Sequence, residues 1–285
     1  MQAMTAEWAE WINVNILRGV TQEKLIDTMI SHQFDREIAS AAVSLSAKTL
    51  TTGAAAPAAQ VPQGVYSYAN ACVYPGTVFQ TTDREVTILM KLDQPRVILF
   101  GNVLSKEECE MLMALAAPRL AQSTTVKADG AGSQLHADRT SRGCFFKVDE
   151  TAFIGTLDRR LCELMQVPWE RGEGLQVVNY QPAQEYRPHH DYFVPGLAST
   201  AVNTQVGGQR VSTLIVYLNT VPAGGETIFP KQNLSIAPVQ GNALYFSYCD
   251  EAGRIDESTL HGGAPVASGE KWITTKWVRQ RAYRC

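Results

Sequence analysis

The chain has 285 residues, of which 45% are hydrophobic and 19% are charged, and its formal net charge is −3. This length and composition are typical of a globular protein with one large domain, or with one large and one small domain. Because the sequence contains no long basic run, binding to nucleic acid through its phosphates is not expected.

Residues 1–43 are expected to form a small helical N-terminal region. Leu25 and Met29 recur at helical spacing in TQEKLIDTMISHQFDREIASAAV, and Thr21 stands where the N-cap of this helix is expected. The following residues, 44–64, are rich in Ala, Pro and Thr and carry almost no charge. This composition predicts a linker.

Residues 65–285 are expected to form one large strand-rich domain. Its first half contains two short apolar, β-branched segments, residues 86–92 and 96–104, which predict strands. A helix is expected to begin after Ser105, because a glutamate three residues later completes a capping-box pattern. A second helix is expected at about residues 151–166, where apolar residues recur at helical spacing.

From residue 175 to residue 278 the sequence predicts many short strands separated by turns rich in Gly, Pro and Asn. Strands and helices do not alternate in this region, so a parallel sheet is not expected. The pattern favours an antiparallel sandwich or barrel with the helices packed outside it.

The sequence predicts a cytoplasmic protein without a membrane partner. Its N-terminus lacks the basic start and apolar core of a signal peptide, and no apolar stretch reaches the length of about 18 residues that suggests a membrane span. The six cysteines are scattered and form no C-x-x-C pair, which is typical of reduced thiols. The pattern gives no indication of the oligomeric state.

The segment EYRPHHDYF contains a candidate pair of metal ligands. In an extended strand, His189 and Asp191 would point to one side and His190 to the other. Two histidines and one carboxylate on one side of a metal are the ligands of non-haem Fe(II) oxygenases. His261 in STLHGGAPV is the best candidate for the third ligand, because the two glycines after it allow the backbone to approach a bound group.

Lys271, ten residues after His261, is a candidate anchor for a cosubstrate. Oxygen activation at Fe(II) needs two more electrons than the substrate supplies, and 2-oxoglutarate provides them by decarboxylating to succinate. Its far carboxylate would need a cation inside a mostly apolar barrel, because a buried carboxylate must be paired. Tyr180 and Thr213 lie on neighbouring apolar strands and could donate hydrogen bonds to the same cosubstrate.

Together these segments resemble the prolyl 4-hydroxylase branch of the Fe(II)/2-oxoglutarate-dependent dioxygenases. The ordered match runs through LSKEEC (104–109), RTSRG (139–143), GEGLQVVNYQPAQEYRPHHDYF (172–193), GGQRVSTLIVYLN (207–219), GGETIFP (224–230) and LHGGAPVASGEKWITTKW (260–277). The resemblance implies a double-stranded β-helix, or jelly-roll, core with flanking helices. It also implies an oxidoreductase that needs Fe(II), 2-oxoglutarate and O₂, with ascorbate as an expected further cofactor.

The resemblance also implies roles for particular residues. The iron ligands of the family fall on His189, Asp191 and His261, and the 2-oxoglutarate anchor falls on Lys271. The remaining matches are two residues near the cosubstrate, an aromatic of the active-site wall and an arginine before the core, which fall on Tyr180, Thr213, Trp277 and Arg139. One departure is Ala183, which stands where the family usually has glycine.

The substrate is left open between two possibilities. A prolyl residue within a peptide is favoured, and a free cyclic amino acid of the proline or pipecolate type is the alternative. Two other classes of protein could use parts of this pattern. A zinc hydrolase on the same ligands would use Glu226 in GGETIFP as its general base. A non-catalytic binding module would act through the N-terminal helices, but the complete ligand set and Lys271 argue against it.

Overall fold

The computed structural model describes residues 4, 6–17, 20–52, 66–67, 74–122, 124–126, 133–135, 140–250 and 252–284. The chain divides into two compact units. One comprises Met1–Gln60, Ala128–Gly130 and Val194–Ala201, and the other comprises Val61–Lys127, Ala131–Phe193 and Val202–Cys285. None of the helices formed by the described residues has the length and apolar character needed to cross a membrane.

Among the described residues, the first, N-terminal unit includes the helices α1 (Ala6–Leu17), α2 (Gln22–Ser31) and α3 (Arg36–Thr52). Helix α2 begins as the sequence predicts, because the Thr21 side chain accepts a hydrogen bond from the Lys24 backbone N–H. The helices share their own apolar core, formed by Ile12, Leu25, Met29, Phe34, Ala39 and Val43. A core of this kind lets short helices persist, since helices of this length are marginal in isolation.

Helix α3 corrects the predicted start of the linker. The sequence composition places a linker at 44–64, but α3 continues through Thr52. Neither glycine nor proline occurs between residues 44 and 52, so nothing in the backbone interrupts the helix before Gly53. Residues 53–64, the rest of the predicted linker, lie outside the described residues.

The second unit is built mainly from β-strands. In chain order its elements, together with α6, which extends into it, are β1 (Val78–Gln80), β2 (Glu85–Leu92), β3 (Val97–Gly101), α4 (Lys106–Ala116), β4 (Ala121–Gln122), β5 (Thr124–Val126), β6 (Ser133–Leu135), β7 (Arg142–Phe146), α5 (Ala152–Leu164), β8 (Leu175–Tyr180), β9 (Tyr186–His189), α6 (Ala198–Thr204), β10 (Arg210–Tyr217), β11 (Ala223–Gly224), β12 (Thr227–Phe229), β13 (Leu234–Ile236), β14 (Ala243–Ser247), β15 (His261–Gly263), β16 (Val266–Ser268) and β17 (Lys271–Arg279). Helices α4 and α5 confirm the two helices predicted in this region. The capping box of α4 at Ser105 and Glu108 is also present.

The described strands form a large sheet, a smaller four-stranded sheet and two two-stranded sheets, β5-β6 and β11-β16, and all their pairings are antiparallel. The large sheet has the strand order β1-β2-β3-β14-β10-β17-β8-β7-β4, and the smaller has the order β13-β12-β15-β9. This arrangement confirms the predicted mainly β fold with a jelly-roll core and flanking helices.

The two faces of the large sheet have different roles. Alternate residues such as Val177 and Leu214 join residues of α4 and α5, including Leu112 and Leu157, in one apolar core. Because side chains alternate along a strand, their sequence neighbours point to the opposite face. That face carries, in paired positions, Tyr180 with Lys271 and Thr213 with Trp277. The helix side of the sheet is therefore structural, and the other side carries the candidate site residues.

Ala183 occupies a turn between β8 and β9 in a conformation that favours glycine. Its φ angle is 65°, and its backbone N–H donates a hydrogen bond to the Val266 carbonyl. A Cβ atom in this left-handed region costs about 1 kcal/mol. The departure from the family's usual glycine therefore carries a cost in conformational energy.

Replacing Ala183 by glycine is expected to stabilise the protein by about 0.5 kcal/mol, because removing the Cβ that the left-handed turn disfavours outweighs the extra entropy that glycine loses on folding. Thermal unfolding would show this as a rise in melting temperature of about 1 °C. Ala267→Gly, in strand β16 at a position without positive φ, is the matched control and is expected to lower the melting temperature. Equal losses in both variants would show that Ala183 is not strained.

Candidate active site

The three predicted metal ligands come together in the structure. His189 at the end of β9 is paired in register with His261 at the start of β15. The Asp191 carboxylate lies between them, with its oxygens 3.6 Å from His189 Nε2 and 3.7 Å from His261 Nε2. The three ligand atoms lie within 4.8 Å of one another, which is close enough to share one metal ion.

Backbone carbonyls orient both imidazole rings. His189 Nδ1 lies 2.8 Å from the Arg187 carbonyl oxygen, and His261 Nδ1 lies 3.1 Å from the Thr259 carbonyl oxygen. Since a carbonyl oxygen can only accept, each Nδ1 carries the proton, and each Nε2 presents its lone pair towards Asp191. The rings are thus in the tautomer that binds a metal.

The ionisation states also suit a metal centre. Burial lowers the pKa of His261 to about 4, and His189 contributes to this shift. Burial opposes ionisation of Asp191, but His261, His189 and Arg210 together hold the pKa of this carboxyl well below its usual range. At neutral pH the site therefore offers a neutral His261 and an ionised carboxylate, which are the forms that bind divalent iron.

Asp191 reaches this position differently from the sequence prediction. The prediction placed it on the same face of an extended strand as His189, but β9 ends at His189 and Asp191 lies in a bend beyond it. The carboxylate is held there by Thr213, whose Oγ1 donates a 2.7 Å hydrogen bond to Asp191 Oδ2. The position of the Asp191 side chain is therefore fixed by a hydrogen bond from a distant segment, and not by the alternation of side chains along a regular strand.

His190 lies outside the ligand set, as predicted. Its Nε2 is 3.1 Å from the Glu257 carbonyl oxygen, and its ring centroid is 4.7 Å from that of Tyr192. Of the histidines in the HHD sequence, only His189 belongs to the metal-binding group.

Lys271, the predicted cosubstrate anchor, is a buried cation at the start of β17. Its side chain is 3% exposed, and its Nζ lies 5.5 Å from the ring centroid of Tyr180, its partner residue in β8. Nζ also lies 5.9 Å from the Tyr217 ring centroid. Across the described ranges of the chain, no hydrogen bond or ion pair engages this ammonium group. Because a buried charge needs a partner, the site fits an anionic ligand.

Two glycines keep space beside the Lys271 side chain. A Cβ atom at Gly263 would lie 3.6 Å from Lys271 Nζ, and one at Gly225 would lie 3.3 Å from Lys271 Cδ. Side chains at these positions would fill the space next to the ammonium group. The buried cation and this space together fit the far carboxylate of 2-oxoglutarate. Thr213, predicted to help bind the cosubstrate, instead gives its hydroxyl proton to Asp191, so its cosubstrate role stays a prediction.

Trp277, which is predicted to belong to the active-site wall, lies on the same sheet face as Thr213. It is paired with Thr213 across β10 and β17, and its buried Nε1 has no hydrogen-bond partner among the residues described. The Arg210 guanidinium lies over its ring, 3.9 Å from the centroid. Both Arg210 and Arg279 bind the Glu173 carboxylate, at 2.8 Å and 2.6 Å. The indole therefore rests against a buried and fully paired cluster of charges.

Several residues of this site were missed in the sequence. Tyr186 stacks on the His189 ring with centroids 3.6 Å apart, and Tyr248 contacts Thr213. Glu173 and Arg210 stand next to apolar strand segments, and a charge flanking a buried strand is a signal that could have identified them. Arg139, which the sequence matched to the family, lies outside the described residues.

Comparison with known proteins agrees with this geometry. The model of the 2OG-Fe(II) oxygenase superfamily matches residues 175–279. Probable prolyl 4-hydroxylase 3 of Arabidopsis thaliana is 38% identical, over 67% of this chain and 71% of its own length. Prolyl 4-hydroxylase 1 of the same plant is 41% identical, over 66% of this chain and 70% of its own length. The viral collagen prolyl hydroxylase of Paramecium Bursaria Chlorella virus-1, solved as a 2OG complex, is 27% identical, with a TM-score of 0.51, over 64% of this chain and 95% of its own.

The affinity for 2-oxoglutarate is expected to fall as the pH rises above 8. Burial lowers the pKa of Lys271 to about 8, so the ammonium that would pair the carboxylate is present below this pH and lost above it. Between pH 8 and pH 9 the KM for 2-oxoglutarate should rise by up to about tenfold. Steady-state succinate formation, measured at several pH values, gives this constant.

The matched variant for this test is Lys271→Arg. A guanidinium stays protonated throughout this range, so its KM for 2-oxoglutarate should be nearly independent of pH, whatever its absolute value. If the KM of both proteins rose in parallel, the titrating group would not be Lys271.

Proposed function

The chain belongs to the prolyl 4-hydroxylase-like branch of the Fe(II)/2-oxoglutarate-dependent oxygenases, and on that basis we propose that it hydroxylates a prolyl residue within a peptide. In this proposal 2-oxoglutarate is decarboxylated to succinate and CO₂ as the prolyl C–H bond is oxidised. Ascorbate is included as a reductant that keeps the iron in its divalent state. The observation that carries the proposal is the buried Lys271 ammonium, which none of the described residues pairs, on the same sheet face as Thr213 and Trp277.

Different residues would bind the metal and the cosubstrate. His189, Asp191 and His261 would hold Fe(II), and Lys271 would pair the far carboxylate of 2-oxoglutarate. Bound iron, with 2-oxoglutarate and O₂, supplies the oxidising power for an unactivated C–H bond. The protein orients the ligands through the carbonyls of Arg187 and Thr259.

The charges beside Trp277 favour a peptide over a free amino acid. A free amino acid carries a carboxylate that needs a cation if it is buried. Arg210 already donates two hydrogen bonds to Glu173, and Arg279 donates to Glu173 and to the Gly208 carbonyl. A peptide bond makes no such demand, because it has no charge. The similarity to a viral collagen prolyl hydroxylase supports the same choice.

A free cyclic amino acid remains the alternative substrate within the same chemistry. The zinc-hydrolase hypothesis loses its support, because the chain belongs to an oxygenase family and Lys271 has the environment of an anion anchor. The charge of Glu226, the candidate base for hydrolysis, partly offsets the lowering of the Lys271 pKa by burial.

The substrate class can be tested by mass spectrometry of two substrate pools, one of proline-containing peptides and one of free cyclic amino acids. Each pool is incubated with the protein, Fe(II), 2-oxoglutarate and ascorbate, and succinate is measured in parallel. We expect a mass gain of one oxygen on a peptide prolyl residue, with an equal amount of succinate. One oxygen added only to a free amino acid would replace the peptide proposal by its alternative.

Two variants control this experiment. Lys271→Ala should lower succinate formation by at least about tenfold, because the buried carboxylate of 2-oxoglutarate loses its cation. His32→Ala changes an exposed histidine of the N-terminal unit and should leave the yield unchanged. Absence of succinate in both pools with the wild-type protein would contradict the oxygenase chemistry itself.

A further inference from the structure

A chain of two hydrogen bonds connects the metal-binding group to a buried tyrosine. Thr213 Oγ1 lies 2.7 Å from Asp191 Oδ2, and the Tyr248 hydroxyl lies 3.0 Å from Thr213 Oγ1. Thr213 is 0% exposed and Tyr248 is 1% exposed. Because water has so little access to these groups, each must find its hydrogen-bond partner within the protein.

The direction of both hydrogen bonds follows from the donors available. The Asp191 carboxylate is ionised and can only accept, so the single hydroxyl proton of Thr213 is donated to it. Thr213 Oγ1 can then only accept from Tyr248. Burial keeps the pKa of the Tyr248 phenol well above its usual value, so this donor remains protonated. The hydrogen bonds therefore run in one direction, from Tyr248 through Thr213 to Asp191.

We propose that Tyr248 is a positioning residue of the metal centre, which acts through Thr213 to hold the Asp191 carboxylate in the orientation that binds iron. This inference rests on the proposed metal centre and deepens it. Asp191 follows the end of β9 and lies in a bend, so the strand ladder does not fix its side chain. The hydrogen bonds from β10 and from the residue after β14 supply that constraint.

The tyrosine ring and its hydroxyl have separable roles. The ring lies 5.9 Å from the Phe246 ring and 6.2 Å from the Tyr192 ring, measured between centroids. Phenylalanine at position 248 would keep these aromatic contacts and remove only the donor. Loss of a group that hydrogen-bonds a metal ligand typically costs about 10- to 100-fold in metal affinity. Tyr248 acts one bond further away, so the lower end of this range is expected.

The test is a titration of the full-length protein with Co(II), followed by absorption or calorimetry, without cosubstrate or turnover. Tyr248→Phe is expected to weaken Co(II) binding by about tenfold, and Thr213→Val by more, because it removes the donor that touches Asp191. Thr213→Ser keeps the hydroxyl and should bind within about threefold of wild type. In the double variant, Tyr248→Phe should add nothing to Thr213→Val, because valine transmits no hydrogen bond.

Three controls separate this proposal from others. Tyr245→Phe removes a hydroxyl three residues earlier, within β14 and on its helix-facing side, and should leave Co(II) affinity unchanged. His261→Ala should abolish tight binding. If His261→Ala still binds Co(II) tightly, the proposed metal centre itself is wrong. If His261→Ala loses tight binding but Tyr248→Phe keeps the wild-type affinity for Co(II), only the role of Tyr248 is overturned. Additive losses in the double variant would also overturn it.

Melting temperatures of the metal-free variants check that each one is folded. If Tyr248→Phe were unfolded, Tyr248→Met would take its place, since methionine fills the space and also lacks a donor. If the variant that is folded binds Co(II) with wild-type affinity, the proposal is contradicted.

Discussion

The carboxylate of Asp191, whose side chain is only 9% exposed, is the group on which the site depends. A charge with so little access to water needs a partner. Here the Thr213 hydroxyl donates a hydrogen bond to it, and His189 and His261 lie beside it from other parts of the chain, so a bound cation would complete the pairing. His189 and His261 are neighbours only because β9 and β15 pair in register. The antiparallel register of the smaller sheet and the position of β10 in the larger sheet are therefore both conditions for a metal centre.

A second buried charge, that of Lys271, lies at one end of β17, and Trp277 lies towards the other. Lys271 and Trp277 lie on the same face of β17, six residues apart, so they stand about 20 Å from each other along the strand. Thr213, opposite Trp277, carries the link to Asp191, and Tyr180, opposite Lys271, lies beside the ammonium group. One end of the strand thus fits a cosubstrate carboxylate, while the other end places Trp277 beside Thr213, which hydrogen-bonds Asp191.

Charge clusters outside the proposed chemistry hold β17 in place. On the side of Trp277, Glu173 is shared between Arg210 and Arg279. On the helix side, Lys276 pairs with Asp158 of α5, and Arg284 binds the same carboxylate. Removing one member of such a cluster leaves an uncompensated buried charge, which is costly. The strand that carries Lys271 and Trp277 is accordingly constrained from both faces.

The sequence by itself determined the chemical identity of the site. His189, Asp191, His261 and Lys271 were identifiable because few residue types bind iron or pair a buried carboxylate, and alternation and capping patterns located the strands and helices around them. Such properties are local, since they depend on a residue and its near neighbours in the chain. The N-terminal part of the chain shows the limit of this approach, because α3 extends into a segment whose composition suggested a linker.

Only the tertiary structure decided how these groups act together. Asp191 lies in a bend instead of a strand. Thr213 donates its hydrogen bond to Asp191, although the sequence predicted a hydrogen bond to the cosubstrate, and Tyr248 donates a hydrogen bond to Thr213. A hydroxyl has one proton, and which acceptor receives it depends on distances of a few tenths of an ångström between segments far apart in the chain. No pattern in the sequence encodes those distances, because they arise from the packing of the two sheets and their connecting turns.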